Sequence, residues 1–121
     1  LPVIDDPRAE GRRESVTRLI LCSGKVFHEL DAHPDRAPRE ELAIGRVEML
    51  HPFPEEQVAE LLAGYPRLER VTWVQEEPRN MGAWEFIRLQ LERLLTDGVP
   101  LGYTGRARRA SPSEGYPQAH Q

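Results

Sequence analysis

The sequence predicts an α/β domain of the three-layer α/β/α kind, built on a mainly parallel open sheet. Three observations carry this expectation. Apolar runs of strand length alternate with segments of helical period three times, and a last short apolar run follows. Pro- and Gly-bearing breaks keep the connections short, which suits strands covered by crossover helices. The 121 residues are 39% hydrophobic and 30% charged, enough for one folded domain and little more.

Residues 1–14 read as a linker or surface arm, because Asp5, Asp6 and Pro7 make a turn and Arg12, Arg13 and Glu14 follow without apolar period. Val16–Cys22 (VTRLILC) is a nearly continuous apolar run, as a strand buried on both faces requires. Ser23 stands as the natural N-cap of a helix over Lys25–Asp31, with Val26, Phe27 and Leu30 on one face. A Pro- and Arg-rich loop leads to a second strand, Leu42–Met49, broken by His51, Pro52 and Pro54. Glu55–Ala63 is the next helix. Val58, Leu61 and Leu62 form its apolar stripe, its acidic first turn complements the helix dipole, and Gly64 closes it. The third strand is Arg70–Gln75, and a helix opened by Asn80 or Gly82 runs through Leu95 with Trp84, Ile87, Leu91, Leu94 and Leu95 at helical spacing. Gly98 and Pro100 stop it before a short strand, Leu101–Thr104. The folded domain is thus expected over residues 15–105, with 106–121 a polar, basic tail containing Arg106, Arg108 and Arg109.

Composition removes several function classes. A net charge of −4 is the wrong sign for a nucleic-acid module, and no apolar run approaches the length of a membrane span. One cysteine, Cys22, leaves no disulfide framework, and the four histidines lack HxxxH or HxxE spacing. The chain begins at Leu1 without methionine or signal peptide, as a piece of something longer would.

Parallel strands bring every strand-to-helix loop to one edge of the sheet, the carboxyl edge where such folds bind. There the sequence places Ser23, Gly24 and Lys25, then Glu48 and His51, then Gln75, Glu76, Glu77 and Asn80, with Trp84 just beyond. The only Cys, Lys and Asn of the chain lie in these loops. Glu76 and Glu77 could form an acid–base couple, but pairing with cations at an interface is the plainer reading. Cys22 and His51 invite a thiol nucleophile, against which stands the preference of free Cys for the core. Ser23-Gly24-Lys25 could cradle an anion at a helix N-terminus, or be a cap with an ion pair, since the GxxxxGK spacing is absent. Lys25 is expected to pair with Glu48 or Glu76. Trp73 and Trp84 suit core or interface anchoring better than base stacking. These residues make no complete catalytic set. Ser23, Lys25, Glu48, His51, Gln75, Glu76, Glu77, Asn80 and Trp84 stand as candidates for an interface or a regulatory site, with no catalytic, cofactor-binding or metal residue among them.

The run Val74–Trp84 (VQEEPRNMGAW) resembles a signature of one family, the C-terminal domain of the decarboxylating first component of 2-oxoglutarate dehydrogenase. LPVIDDP, LCSGKV, RVEMLHPFP, Tyr65-Pro66 and YTGRARRASP extend the resemblance in order along the chain, while His28 and the His33–Arg39 loop depart from the pattern. The resemblance implies a transketolase-like C-terminal domain in a cytoplasmic bacterial enzyme of the TCA cycle. It implies a homodimer that uses thiamine diphosphate and magnesium, held by preceding catalytic domains of the same polypeptide. Such an enzyme decarboxylates 2-oxoglutarate and reductively acylates a lipoyl group of the dihydrolipoyl succinyltransferase component of a multienzyme complex. The magnesium–diphosphate motif of that cofactor is absent from these residues, so the domain's expected role is dimer contact, positioning of the catalytic domains, or regulation. The alternative is a free-standing small α/β domain that binds an anion at Ser23–Lys25.

Overall fold

The computed structural model describes residues 2–34, 36, 39–95 and 98–105. A two-residue strand, β1 (Val3–Ile4), is followed by 3₁₀ turns at Pro7–Ala9 and Arg13–Ser15. Then come β2 (Arg18–Cys22), α1 (Gly24–Ala32), β3 (Leu42–Val47), α2 (Glu55–Ala63), β4 (Arg70–Val74), α3 (Trp84–Leu94) and β5 (Leu101–Thr104). In the sheet the strands lie in the order β1-β3-β2-β4-β5. All neighbours are parallel except β1, which pairs antiparallel with β3. The expected mainly parallel three-layer α/β/α arrangement is present.

The most apolar strand takes the centre. β2 pairs with β3 on one side and β4 on the other, so that Ile20 faces both Ile44 and Thr72. Alternation along the strands then builds two cores. Ile20, Cys22, Leu42 and Ile44 pack under Val26, Phe27 and Leu30 of α1. Leu19, Leu21, Ala43 and Trp73 pack under Val58 and Leu61 of α2 and Trp84, Ile87 and Leu91 of α3. One helix therefore covers one face, and two cover the other.

Several element ends differ from the sequence expectation. Helix α1 begins after Ser23, but the Ser23 side chain makes no capping bond. Strand β3 stops short of Met49 because the N–H groups of Glu48 and Met49 turn to the Pro2 carbonyl, at 2.7 and 3.4 Å. Helix α3 starts at Trp84, not at Asn80 or Gly82, because residues 75–83 are bound into a loop of their own. The ranges expected for α2 and β5 are the ones observed.

Residues 1–14 are the largest correction. The described part of this segment is not a surface arm: Val3 and Ile4 add the antiparallel edge strand, and Asp6 and Ala9 are buried. The cause is a charge pair that sequence spacing cannot reveal. Asp6 binds the guanidinium of Arg36, and both side chains are almost fully buried. The same carboxylate accepts the Ile44 N–H at 2.8 Å and the Arg8 N–H at 2.9 Å, so it is satisfied by sheet, turn and loop together. Arg36 also bonds Asp31 at the end of α1, at 3.2 Å. Beside this junction the Tyr65 hydroxyl donates to Asp5, which also holds Arg13 at 2.9 Å. The expected basic tail, 106–121, lies outside the described residues.

A buried pair stabilises little against an apolar substitute, but breaking it by half strands a charge. Asp6→Ala leaves the Arg36 guanidinium in the core and removes the acceptor of two backbone N–H groups. It is expected to lower the unfolding free energy by about 3–5 kcal/mol in urea titrations. A loss under about 1 kcal/mol would show that the pair does not anchor the segment.

Candidate functional site at the carboxyl edge

The carboxyl ends of β2, β3 and β4 carry the three loops singled out by the sequence. The connection from β2 leads through α1 to β3 on one side, and that from β3 leads through α2 back across to β4 on the other. Helices therefore leave β2 and β4 toward opposite faces, which opens the crevice where open α/β sheets bind. Lys25 and Glu76 meet across it, Nζ to Oε1 at 3.7 Å. The expected pairing is present, with Glu76 as the partner. It is a surface pair, since the Lys25 side chain is 84% exposed and that of Glu76 30%.

Glu48 takes a different position. Its carboxylate lies against the first residue of α1, and a Cβ on Gly24 would fall 2.5 Å from Glu48 Oε2. The absence of a side chain at Gly24 lets the carboxylate approach so closely. The carboxylate thus sits at the positive end of the helix, where the Ser23 hydroxyl was expected to act and where a bound anion would have to go. Of the residues expected to cradle an anion, Gly24 lies against Glu48 and Lys25 pairs with Glu76.

Gln75 organises the third loop. Its side chain is buried, and Oε1 accepts from the indole N–H of Trp73 at 2.9 Å and the backbone N–H of Trp84 at 3.0 Å. Its Nε2 donates to the carbonyls of Glu77 (3.2 Å), Pro78 (2.9 Å) and Met81 (2.7 Å). One amide thereby closes the loop onto the start of α3. At the turn, Gly82 has φ +67°, and a Cβ there would fall 2.8 Å from Glu77 Oε1, so this position needs glycine. Tyr103 of β5 supports the loop by donating to the Glu77 carbonyl at 3.1 Å, with the Arg79 guanidinium 5.5 Å from the ring centroid. Neither Tyr103 nor Arg79 stands among the candidate site residues, although both lie in stretches that carry the family resemblance. The hydroxyl-bearing aromatic in the last strand is a visible feature, but its partner is fixed only by the strand order.

The arrangement separates the groups that could have reacted together. Glu76 faces Lys25, whereas Glu77 lies beside Gly82, so the two carboxylates do not form a couple. Cys22 packs in the α1 core, while the His51 ring stacks against Phe86 of α3 at 4.6 Å. Burial pushes the Cys22 thiol up to about 12, and Glu48 adds to this while Arg46 opposes it. A buried, protonated thiol is no nucleophile at neutral pH. Trp84 is buried in the α2–α3 core against Tyr103, with ring centroids 5.1 Å apart. It supports the loop from inside and does not present its indole as an exposed anchor. Asn80 and His51 are exposed at the same edge. Among the described residues no group of three His, Cys, Asp or Glu side chains could hold a metal ion. None of their helices is long and apolar enough to cross a membrane.

These contacts predict unequal sensitivities. Gln75→Leu leaves two buried N–H donors and three carbonyls without their partner and should cost about 3 kcal/mol or more by chemical denaturation. Lys25→Ala should cost under about 1 kcal/mol, because its ion pair is solvated. Equal effects would reject the assignment of the loop's shape to Gln75.

Alkaline pH tests the buried thiol. Its value is raised on folding, from an ordinary value near 9 to about 12. The folded chain therefore keeps a proton that the unfolded chain releases in that interval. The stabilisation is complete below the unfolded value and is lost as pH climbs toward 12. Burial and the Asp5 contact raise Tyr65 as well, so Cys22→Ala should remove only part of the alkaline decline in unfolding midpoint. An unchanged decline would place Cys22 outside the titrating set.

Comparison with known proteins adds an independent line. The profile described as 2-oxoglutarate dehydrogenase C-terminal matches residues 1–121. The chain is 43% identical over 122 residues to the 2-oxoglutarate dehydrogenase E1 component of Shouchella clausii, covering 99% of this chain and 13% of that protein. It is 44% identical over 122 residues to the protein of the same name from Bacillus subtilis, again covering 99% and 13%. The Staphylococcus haemolyticus E1 component is 43% identical over 112 residues, covering 93% of this chain and 12% of that protein. The chain thus spans about an eighth of the length of these relatives.

Proposed function

Since the chain belongs to the 2-oxoglutarate dehydrogenase C-terminal family, we propose that it acts as the C-terminal, non-catalytic domain of a thiamine-diphosphate-dependent enzyme that decarboxylates 2-oxoglutarate. In this reading the enzyme passes the succinyl group to a lipoyl group of a dihydrolipoyl succinyltransferase component in the cytoplasm. The domain's own task is to position the preceding catalytic domains and to make contact in a homodimer. The single observation that supports this role is the Gln75 amide, whose hydrogen bonds tie an exposed loop to the start of α3. A surface whose shape is set in advance loses little entropy on docking.

The described residues do not fit thiamine diphosphate. Among the described residues no three His, Cys, Asp or Glu side chains converge on one point. A diphosphate would need the N-terminus of α1, where the Glu48 carboxylate already lies. In this reading, as the family resemblance implies, the preceding domains hold the cofactor, and no step of its chemistry is placed on this chain. The same Glu48 carboxylate and the Lys25–Glu76 pair weigh against a free-standing anion-binding domain.

The purified 121-residue chain is expected to show no turnover of 2-oxoglutarate with added thiamine diphosphate and magnesium. The gene product that carries this chain with its upstream region is expected to turn it over. Activity of the short chain alone would overturn the division of labour. Absence of activity from the long product would overturn the assignment to a decarboxylase.

A further inference from the structure

Resting on the homodimer contact of that reading, we infer that the outer face of α3 is where two copies of this chain meet, antiparallel about a two-fold axis at Leu89. The helix buries one side only. Trp84, Ile87 and Leu91 enter the core, with Phe86 and Leu94 packed at its margin. Leu89 points the other way, is 57% exposed and takes no part in that core. Met49 and Met81, the other large apolar side chains so exposed among the described residues, lie in loops. Leu89 is the one that a regular element presents.

A single exposed leucine is ordinary on a protein surface, and the charges around this one set it apart. Residues four apart share a helix face, so Glu85, Leu89 and Arg93 make one row along the outside of α3. The row runs acid, leucine, base. Glu85 makes no ion pair among the described residues, while Arg93 reaches Glu55 at 3.7 Å with both side chains more than half exposed. Arg88 and Glu92 alongside face each other at 3.9 Å. An acid in the first turn and a base in the last suit the helix dipole, and the same order makes the face self-complementary.

Two copies of α3 laid antiparallel and centred on Leu89 set each Glu85 opposite Arg93 of the partner subunit, since both stand four residues, about 6 Å, from the centre. Leucine meets leucine on the axis and an ion pair closes each end, as in an isologous interface. A parallel arrangement would set Glu85 against Glu85 and Arg93 against Arg93, so the charges choose the direction. A groove of about 420 Å³ at Leu89, lined also by Gln90, Glu92 and Arg93, leaves room for the facing side chain. The helix has 11 residues, and a strip of about 16 Å falls short of the roughly 800 Å² per partner of a stable interface. By itself it supports weak association, and in a longer enzyme it is one contact among several.

The experiment is sedimentation of the full 121-residue chain at up to about 1 mM, as wild type, as Glu85→Arg, as Arg93→Glu and as an equimolar mixture of the two variants. The wild type is expected to dimerise weakly and reversibly. Either variant alone sets like charges at both ends and should associate about tenfold more weakly. Mixed, the two again set opposite charges at both ends, and a heterodimer should form with the wild-type affinity. A role confined to the helix dipole could not be repaired by mixing. Under an added oxidant, Leu89→Cys should be captured as a disulfide-linked dimer, whereas Glu29→Cys, exposed on α1 across the sheet, should not. Cys22 is buried and does not compete. A monomeric wild type, variants as tightly associated as the wild type, no recovery on mixing, or equal capture of the two cysteines would each overturn the inference. Turnover of 2-oxoglutarate by the longer gene product without this association removes the surface alone. The expected association without turnover removes the functional reading alone.

Discussion

Gln75 sits where the last residue of β4 gives way to a loop, and its amide satisfies five partners that would otherwise be buried unpaired or drift into solvent. A side-chain amide has an acceptor and two donors, so it can face two N–H groups and several carbonyls at once. Here the acceptor end joins the indole of Trp73, inside the sheet, to the first backbone N–H of α3. The donor end gathers the carbonyls of the loop between them. The start of α3, the seating of Trp84 and the exposure of Glu76 to Asn80 all depend on this one group. A hydrocarbon side chain could fill the space but could not bridge strand to helix. A carboxylate would set like partial charges against the three carbonyls.

The charged groups divide by burial, and their roles divide with it. Asp6 and Arg36 are almost fully buried, so their association is a condition of folding, and each would be costly alone. Lys25 and Glu76 meet in solvent, where water and salt weaken the attraction. The first pair ties the incoming chain, the end of α1 and the strand β3 into one body. The second spans the crevice between β2 and β4 without sealing it. The conspicuous charges of the carboxyl edge are thus minor contributors to stability, while a pair hidden between a turn and a loop carries more.

The direction of β1 connects fold to function. A parallel sheet of this order has its loops on one edge, and an antiparallel edge strand must begin at that edge. The chain therefore enters beside its own candidate surface. The Pro2 carbonyl accordingly accepts the N–H groups of Glu48 and Met49 at the end of the sheet that carries those loops. The same edge strand closes the outer side of β3, which would otherwise expose unpaired backbone groups.

Much of this was legible in the residues themselves. Periodicity located α2 and β5 to the residue, and the apolar run ending at Cys22 marked the central strand, because a strand buried on both faces cannot tolerate polar alternation. The loop residues at the carboxyl edge followed from parallel topology alone, and adjacent strands offered Lys25 two partners, Glu48 and Glu76, of which the structure takes Glu76. The family signature at Val74–Trp84 was readable as a string, without any account of what its glutamine does. Local pattern did not reach Asp6 and Arg36, thirty positions apart in a turn and a loop. It did not reach Glu48 against Gly24, or the five bonds of Gln75, either. Each of those contacts joins groups distant in sequence, and side-chain type states only what a group can bond, not what will lie beside it. The residues determined the layers, the strand direction and the family. The tertiary structure decided that the first residues belong to the sheet, that Cys22 and His51 lie on opposite faces, and that the polar groups of the edge hold one another.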